Sequence, residues 1–209
     1  SLPDRLVLRR GKFTLTPGLI VLDSARVGML DAAATLSGAL MVSPEGLRGM
    51  DVLIDANMGP AGMRWIKTFA GLPQVLKVQQ RIALSQGHFV GSDKGALSFQ
   101  GEISTQEGRT LSLGLVRQEK ELKINKLEIR DAVSRVSLTL GLRKRSWETT
   151  FSGRLDLSTV AALVDVEPMP AGSLAGDFSA RILRDRPLES LAHGRLSGEG
   201  IVLPWKPDI

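Results

Sequence analysis

The sequence predicts a mainly β protein built as a twisted antiparallel sheet, and three observations predict it. Apolar residues recur at every second position over most of the chain. The connections between alternating runs are mostly two to eight residues long. Two short segments alone switch to helical spacing. Successive side chains of a strand point to opposite faces, so period two marks a sheet with one apolar and one polar face. Connections this short join antiparallel neighbours, because a parallel crossover needs a dozen or more residues.

Taken in order, strands are expected at 6–15, 19–28, 34–42 and 51–58. A helix is expected from Pro60 to about Lys77, with proline in the tolerant first turn and Gly71 and Pro73 interrupting later. Met63, Ile66, Phe69 and Ala70 share one face of it. A strand follows at 80–90. Leu97, Phe99, Gly101 and Ile103 then alternate with Ser98, Gln100 and Glu102, and Leu111, Leu113 and Leu115 form the next set. In Leu122, Ile124, Leu127 and Ile129 the parity switches, which places a β-bulge or bend near Asn125-Lys126.

The cleanest alternation is Val136, Leu138, Leu140 and Leu142 against Ser137, Thr139 and Gly141. Trp147, Thr149, Phe151, Gly153 and Leu155 continue it. A second short helix is expected over 158–164, with Asp156 or Ser158 as N-cap. Leu174, Gly176, Phe178, Ala180 and Ile182 form a further strand, and a last one covers about 194–203. That makes eleven or twelve strands, with Ser92-Asp93-Lys94-Gly95 and Gln106-Glu107-Gly108 among the turn signals.

Composition narrows the function. The 209 residues are 43% hydrophobic and 23% charged, enough to fold and to bury a core. No apolar run nears the ~18 residues of a membrane helix. With no cysteine there is no disulfide, thiolate metal site or cysteine nucleophile. The two histidines, His88 and His193, are too far apart for a helical His-x-x-x-His metal site. Tyrosine is absent and aromatics make up 4%, too few for base-stacking platforms.

Net charge is +5, and Arg109–Arg145 holds ten basic residues against four acidic ones, a local +6 that includes Arg117 and the run Arg143, Lys144 and Arg145. Such a run either solvates a sheet face or meets anionic lipid headgroups or nucleic acid. Ser1-Leu2-Pro3 is not a secretory signal, and the chain stops within an apolar run, so the whole of 1–209 reads as one β segment excised from a longer chain. Two loose units, 1–108 and 109–209, divide it.

A weak repeat runs through it: Leu36-Ser37-Gly38-Ala39-Leu40, Phe99-Gln100-Gly101-Glu102-Ile103, Phe151-Ser152-Gly153-Arg154-Leu155, and in part Leu196-Ser197-Gly198. Alternation places each glycine on the apolar face. There it marks a bend or close approach, or else leaves room for a ligand chain.

From Glu121 to Pro204 the order is a Trp-x-x-x-Phe-Ser-Gly-x-Leu-Asp strand, an immediate short helix "STVAALV", a Gly-x-Leu-x-Gly-Asp strand and a Gly-x-Leu-x-Gly-x-Gly strand. This resembles the AsmA-like proteins of Gram-negative bacteria, the group with the TamB and YhdP relatives, and residues 36–103 look like a looser copy. The resemblance implies an elongated sheet curled into an open, taco-like half-pipe with an apolar concave face. It implies a periplasmic segment tethered to the inner membrane by a part outside this sequence. It also implies a role in moving phospholipids towards the outer membrane, akin to bridge-like lipid transfer proteins.

Physical chemistry meets that expectation. Exposed acyl chains cost about 0.8 kcal/mol per methylene, so a carrier needs a continuous apolar floor and no acid, base, metal or cofactor. The expected floor is Leu97, Phe99, Ile103, Leu111, Leu113, Leu115, Leu122, Ile124, Val136, Leu138, Leu140, Leu142, Trp147, Phe151, Leu155, Leu174, Phe178 and Ile182, with Arg143, Lys144 and Arg145 as headgroup or surface charge. The same parity also fills an ordinary sandwich or barrel core. A non-transporting scaffold or outer-membrane assembly factor explains the strands equally well. No catalytic motif is present, and Asp51 and Asp55, on one strand face, are the nearest to a carboxylate pair. No reading helix for nucleic acid is visible.

Overall fold

The computed structural model describes residues 6–69, 77, 80–93, 95–118, 121–164 and 167–202. The strands are β1 (Leu6–Thr16), β2 (Leu19–Met29), β3 (Ala32–Ser43), β4 (Gly46–Met58), β5 (Ile82–Ser92), β6 (Leu97–Thr105), β7 (Thr110–Gln118), β8 (Glu121–Arg130), β9 (Arg135–Leu142), β10 (Ser146–Asp156), β11 (Ala171–Leu183) and β12 (Leu191–Val202). Helix α1 (Pro60–Phe69) follows β4, α2 (Leu157–Ala161) follows β10, and a 3-10 turn at Pro187–Glu189 joins β11 to β12.

Each strand pairs antiparallel with its chain neighbour, giving one twelve-stranded sheet in the order β1 to β12. β1 and β12 do not pair, so the sheet is open, and it is not strongly curled. The expected boundary at 108/109 falls in the β6–β7 turn, inside this one sheet. The parity switch in β8 is a bulge: pairing with β9 skips from Ile124 to Leu127.

A single layer buries little. Solvent-accessible area is 14274 Å², against about 9,500 Å² for a compact monomer of this length. No helix is long and apolar enough to cross a membrane among the described residues.

Both helices start where an even-numbered strand ends, so they share one rim. Helix α1 is described over Pro60–Phe69 of the expected span from Pro60 to about Lys77. Residues 70–76 and the side chains of Ile66 and Phe69 lie outside the described residues. Its cap comes from far away in sequence: Asp31, in the β2–β3 turn, accepts from the Ala61 and Gly62 amides at 3.0 and 2.6 Å. Those two bonds hold its carboxyl below the usual range. Asp156 is the N-cap of α2 and accepts from Ser158 N at 2.9 Å. Asp55 caps nothing of the kind; it accepts from the Gln86 amide at 3.0 Å where β5 bulges.

Helix α2 is fastened to the sheet through Asp131 in the β8–β9 turn. Asp131 Oδ1 accepts from the Val133 and Ser134 amides at 3.0 and 2.7 Å. Oδ2 accepts from Thr159 Oγ1 at 2.7 Å and Arg109 Nε at 3.3 Å. The Ser134 hydroxyl lies 2.7 Å from that of Thr159 and accepts from the Asp156 amide at 2.9 Å. Burial pushes the Asp131 carboxyl up, but the Thr159 hydroxyl, the two amides and Arg109 outweigh it and hold it below the ordinary 3.8.

A depressed folded-state pKa means stability that is present above the unfolded value and lost as pH falls through the folded one. Asp131→Asn should therefore lower stability at neutral pH by about 1–3 kcal/mol and flatten its decline below about pH 5, read from urea midpoints across that range. An unchanged acid limb would show that Asp131 does not carry this linkage.

Candidate functional site

Residues opposite one another in a sheet share a face, so the register decides which side chains form a continuous surface. One row near the rim away from the helices reads Met50–Gly91–Leu97–Arg117–Leu122–Leu142–Trp147–Ile182, from β4 to β11. The next rows contain Val52–Phe89–Phe99–Leu115–Ile124–Leu140–Thr149–Ala180 on the same side. All of the expected floor residues, Leu97 through Ile182, fall on this one face. The bulge at Asn125-Lys126 is what keeps Leu122 and Ile124 in step with Leu127 and Ile129 across it.

They are not equally covered. Val136, Phe151 and Leu155 are buried with Ile129 and Leu157 under α2, and Leu111, Leu138, Leu174 and Phe178 pack against that cluster. This end of the face is a local core rather than open floor, because α2 lies over it. Leu97, Phe99, Ile103, Leu113, Leu115, Leu122, Ile124, Leu140 and Leu142 are half-buried, and Trp147 and Ile182 are 45% and 43% exposed. Among the described residues no second sheet covers them.

The opposite face is polar. Arg143 lies on it, 3.0 Å from Glu121 and 3.8 Å from Glu148, and Arg181 reaches Glu148 at 3.4 Å. Lys144 and Arg145 sit in the β9–β10 turn, and Arg145 pairs with Asp185 at 3.2 Å. A shallow depression of about 460 Å³ opens here, lined by Lys123, Arg143, Arg181, Thr139, Thr150 and His193. His88 and Asp51 share this polar face and are joined at 2.7 Å. Most of the basic stretch is thus solvated, with Lys123, Lys126, Arg130 and Arg135 on the polar side.

Arg117 is the exception. It is the charged residue among the paired positions of the apolar face, opposite Leu97 on one side and Leu122 on the other. The signal was present in the sequence, where Leu111, Leu113, Leu115 and Arg117 share parity, but Arg117 counted there only towards the basic stretch. Beside it the apolar face dips into a depression of about 360 Å³, with Met50, Phe89, Gly91 and Leu97 among its lining.

The repeat glycines do not leave room for a ligand chain. Gly38 and Gly153, and with them Gly176 outside the repeat, have φ of 137°, 114° and 145°. A Cβ on them would overlap the carbonyl oxygens of Asp51, Arg135 and Arg195 on neighbouring strands. Over Gly101 the space is taken by Leu84 and Phe99, and over Gly198 by Ile201. Close backbone approach explains Gly38 and Gly153, and neighbouring side chains fill the space over Gly101 and Gly198. No family model, curated protein or solved structure matches this chain.

Proposed function

We propose that this chain is a periplasmic segment of an AsmA-like protein that holds and conducts phospholipid acyl chains along its apolar face. One observation carries the reading: a one-sided apolar surface crosses twelve paired strands of an open sheet and stays half-exposed over most of its area. A folded chain seldom leaves a contiguous apolar patch of this extent uncovered unless something apolar occupies it. Aliphatic side chains suit sliding cargo, since they make no directional bond that would fix one lipid. The half-pipe of the AsmA-like proteins belongs to this proposal, since an open sheet is free to bend its apolar face around bound chains.

The chain purified without detergent should retain phospholipid, seen by native mass spectrometry or by extraction and chromatography. It should also take up a fluorescent phospholipid. A lipid-free chain that takes up none would overturn the carrier reading and leave a scaffold.

A further inference from the structure

We infer that Arg117 marks an anionic-headgroup site on the apolar face, with the adjoining depression receiving the start of the acyl chain. The inference rests on the carrier reading above and adds the chemistry of its ligand. It starts from an anomaly: eight residues form one cross-strand row from Met50 to Ile182, and Arg117 alone among them is charged. A guanidinium in such a row is tolerated while it reaches water, and it becomes costly once an uncharged layer covers it. An anionic group on the covering molecule removes that cost by pairing with it.

Arg117 is exposed and makes no ion pair or hydrogen bond with any described residue. The other arginine at this rim of the apolar face, Arg184, is engaged: its guanidinium lies 5.7 Å from the Trp147 ring centroid. Arg143 and Arg145 are paired with carboxylates, with Arg143 on the polar face and Arg145 in the β9–β10 turn. Among the described residues, Arg117 is therefore the cation placed to meet a ligand lying on the apolar side.

The space beside it has the matching shape. The depression of about 360 Å³ lies within the ~300–1,000 Å³ span of small-molecule sites. Gly91 keeps it open. It stands between Met50 and Leu97 in the row, and a Cβ there would reach 3.2 Å from Phe89 Cε1 and 3.4 Å from Met50 Cγ. Its φ is not in the left-handed region, so a larger side chain fits the backbone and would fill the hollow. Asp93 on the rim is bound to Arg48 at 2.9 Å, which leaves Arg117, among the described residues, as the partner for an anion. A planar guanidinium binds phosphate with two parallel hydrogen bonds, and a phosphate without a headgroup ammonium of its own gains most from that charge, so the ligand class is an anionic phospholipid.

The experiment compares fluorescent phosphatidylglycerol and phosphatidylcholine with identical acyl chains, binding to the detergent-free 209-residue chain. Wild type should bind the anionic lipid about tenfold more tightly, the worth of one charge-assisted contact. Arg117→Gln should lose that preference while still binding phosphatidylcholine, and Arg117→Lys should keep part of it. Lys123→Gln, on the polar face, should keep all of it, which separates a site from bulk positive charge. Gly91→Val should weaken both lipids alike.

Millimolar inorganic phosphate should not displace the lipid; displacement would reassign Arg117 to a free-phosphate site. Equal binding of both lipids by wild type, or a preference that survives Arg117→Gln in a folded variant, overturns the headgroup site and leaves the carrier reading standing. Binding of neither lipid overturns both.

Discussion

Leu140→Asp is expected to leave the protein folded and stripped of lipid, whereas Val136→Asp is expected to unfold it. The two residues are four apart on β9 and face the same side. Val136 is 3% exposed, packed with Ile129 and Phe151 beneath α2. An unpaired carboxylate there costs several kcal/mol, out of about 5–15 kcal/mol for a whole domain. Leu140 lies between Ile124 and Thr149, half-buried and beyond the helix-covered cluster. An aspartate at that position reaches water when no lipid is bound, so the fold should lose little. It then sits in the path of the acyl chains and should expel them. Circular dichroism and lipid extraction on both variants decide the matter. If Leu140→Asp is molten or insoluble like Val136→Asp, the face is a closed core. If it folds with its lipid intact, the cargo does not touch β9.

Gly153→Ala is expected to be strongly destabilising for a single added methyl. Gly153 is held at φ 114°, and an added Cβ would overlap the carbonyl oxygen of Arg135 on β9. The neighbouring strand on the other side offers no escape, because Gly153 is paired there with Gly176, itself at φ 145°. Strained backbone and a backbone clash together should cost about 3 kcal/mol or more, a fall in thermal midpoint of about 6–12 °C. Gly141→Ala is the control. Its Cβ would meet Glu148 Cβ at 3.7 Å, an ordinary contact, so that variant should be near neutral or slightly more stable. Equal midpoints for the two variants would mean that Gly153 is not constrained by its neighbour's backbone.

Strand periodicity was legible from residues alone because it is local. Leu138 and Leu140 share a face by virtue of being two apart, whatever surrounds them. For the same reason the break between Ile124 and Leu127 identified the bulge in β8 before any pairing was known. Short connections likewise dictated antiparallel neighbours where they occur, since those links have no length to do otherwise; the two helix-bearing links, 59–81 and 157–170, have the length for a crossover, and only the pairing shows that they too are antiparallel. Three matters were beyond the reach of local pattern. The repeat glycines Gly38 and Gly153 face the apolar side as alternation requires, yet their cause is the backbone of the next strand, which no one-strand pattern contains. The cap of α1 comes from Asp31, thirty residues upstream of Ala61, so nothing next to the helix announced it. Arg117 stood in plain view at the end of the Leu111, Leu113, Leu115 series, but its isolation appears only when register sets eight strands side by side.

The sequence by itself determined that nearly every strand has one apolar and one polar face, because alternation is a property of neighbouring residues. Only the tertiary structure decided that these faces join into a single open surface, covered by α2 at one rim and, among the described residues, uncovered at the other. Register and covering layers depend on contacts between residues far apart in the chain, where the energy of burial is shared among strands and no single segment carries it.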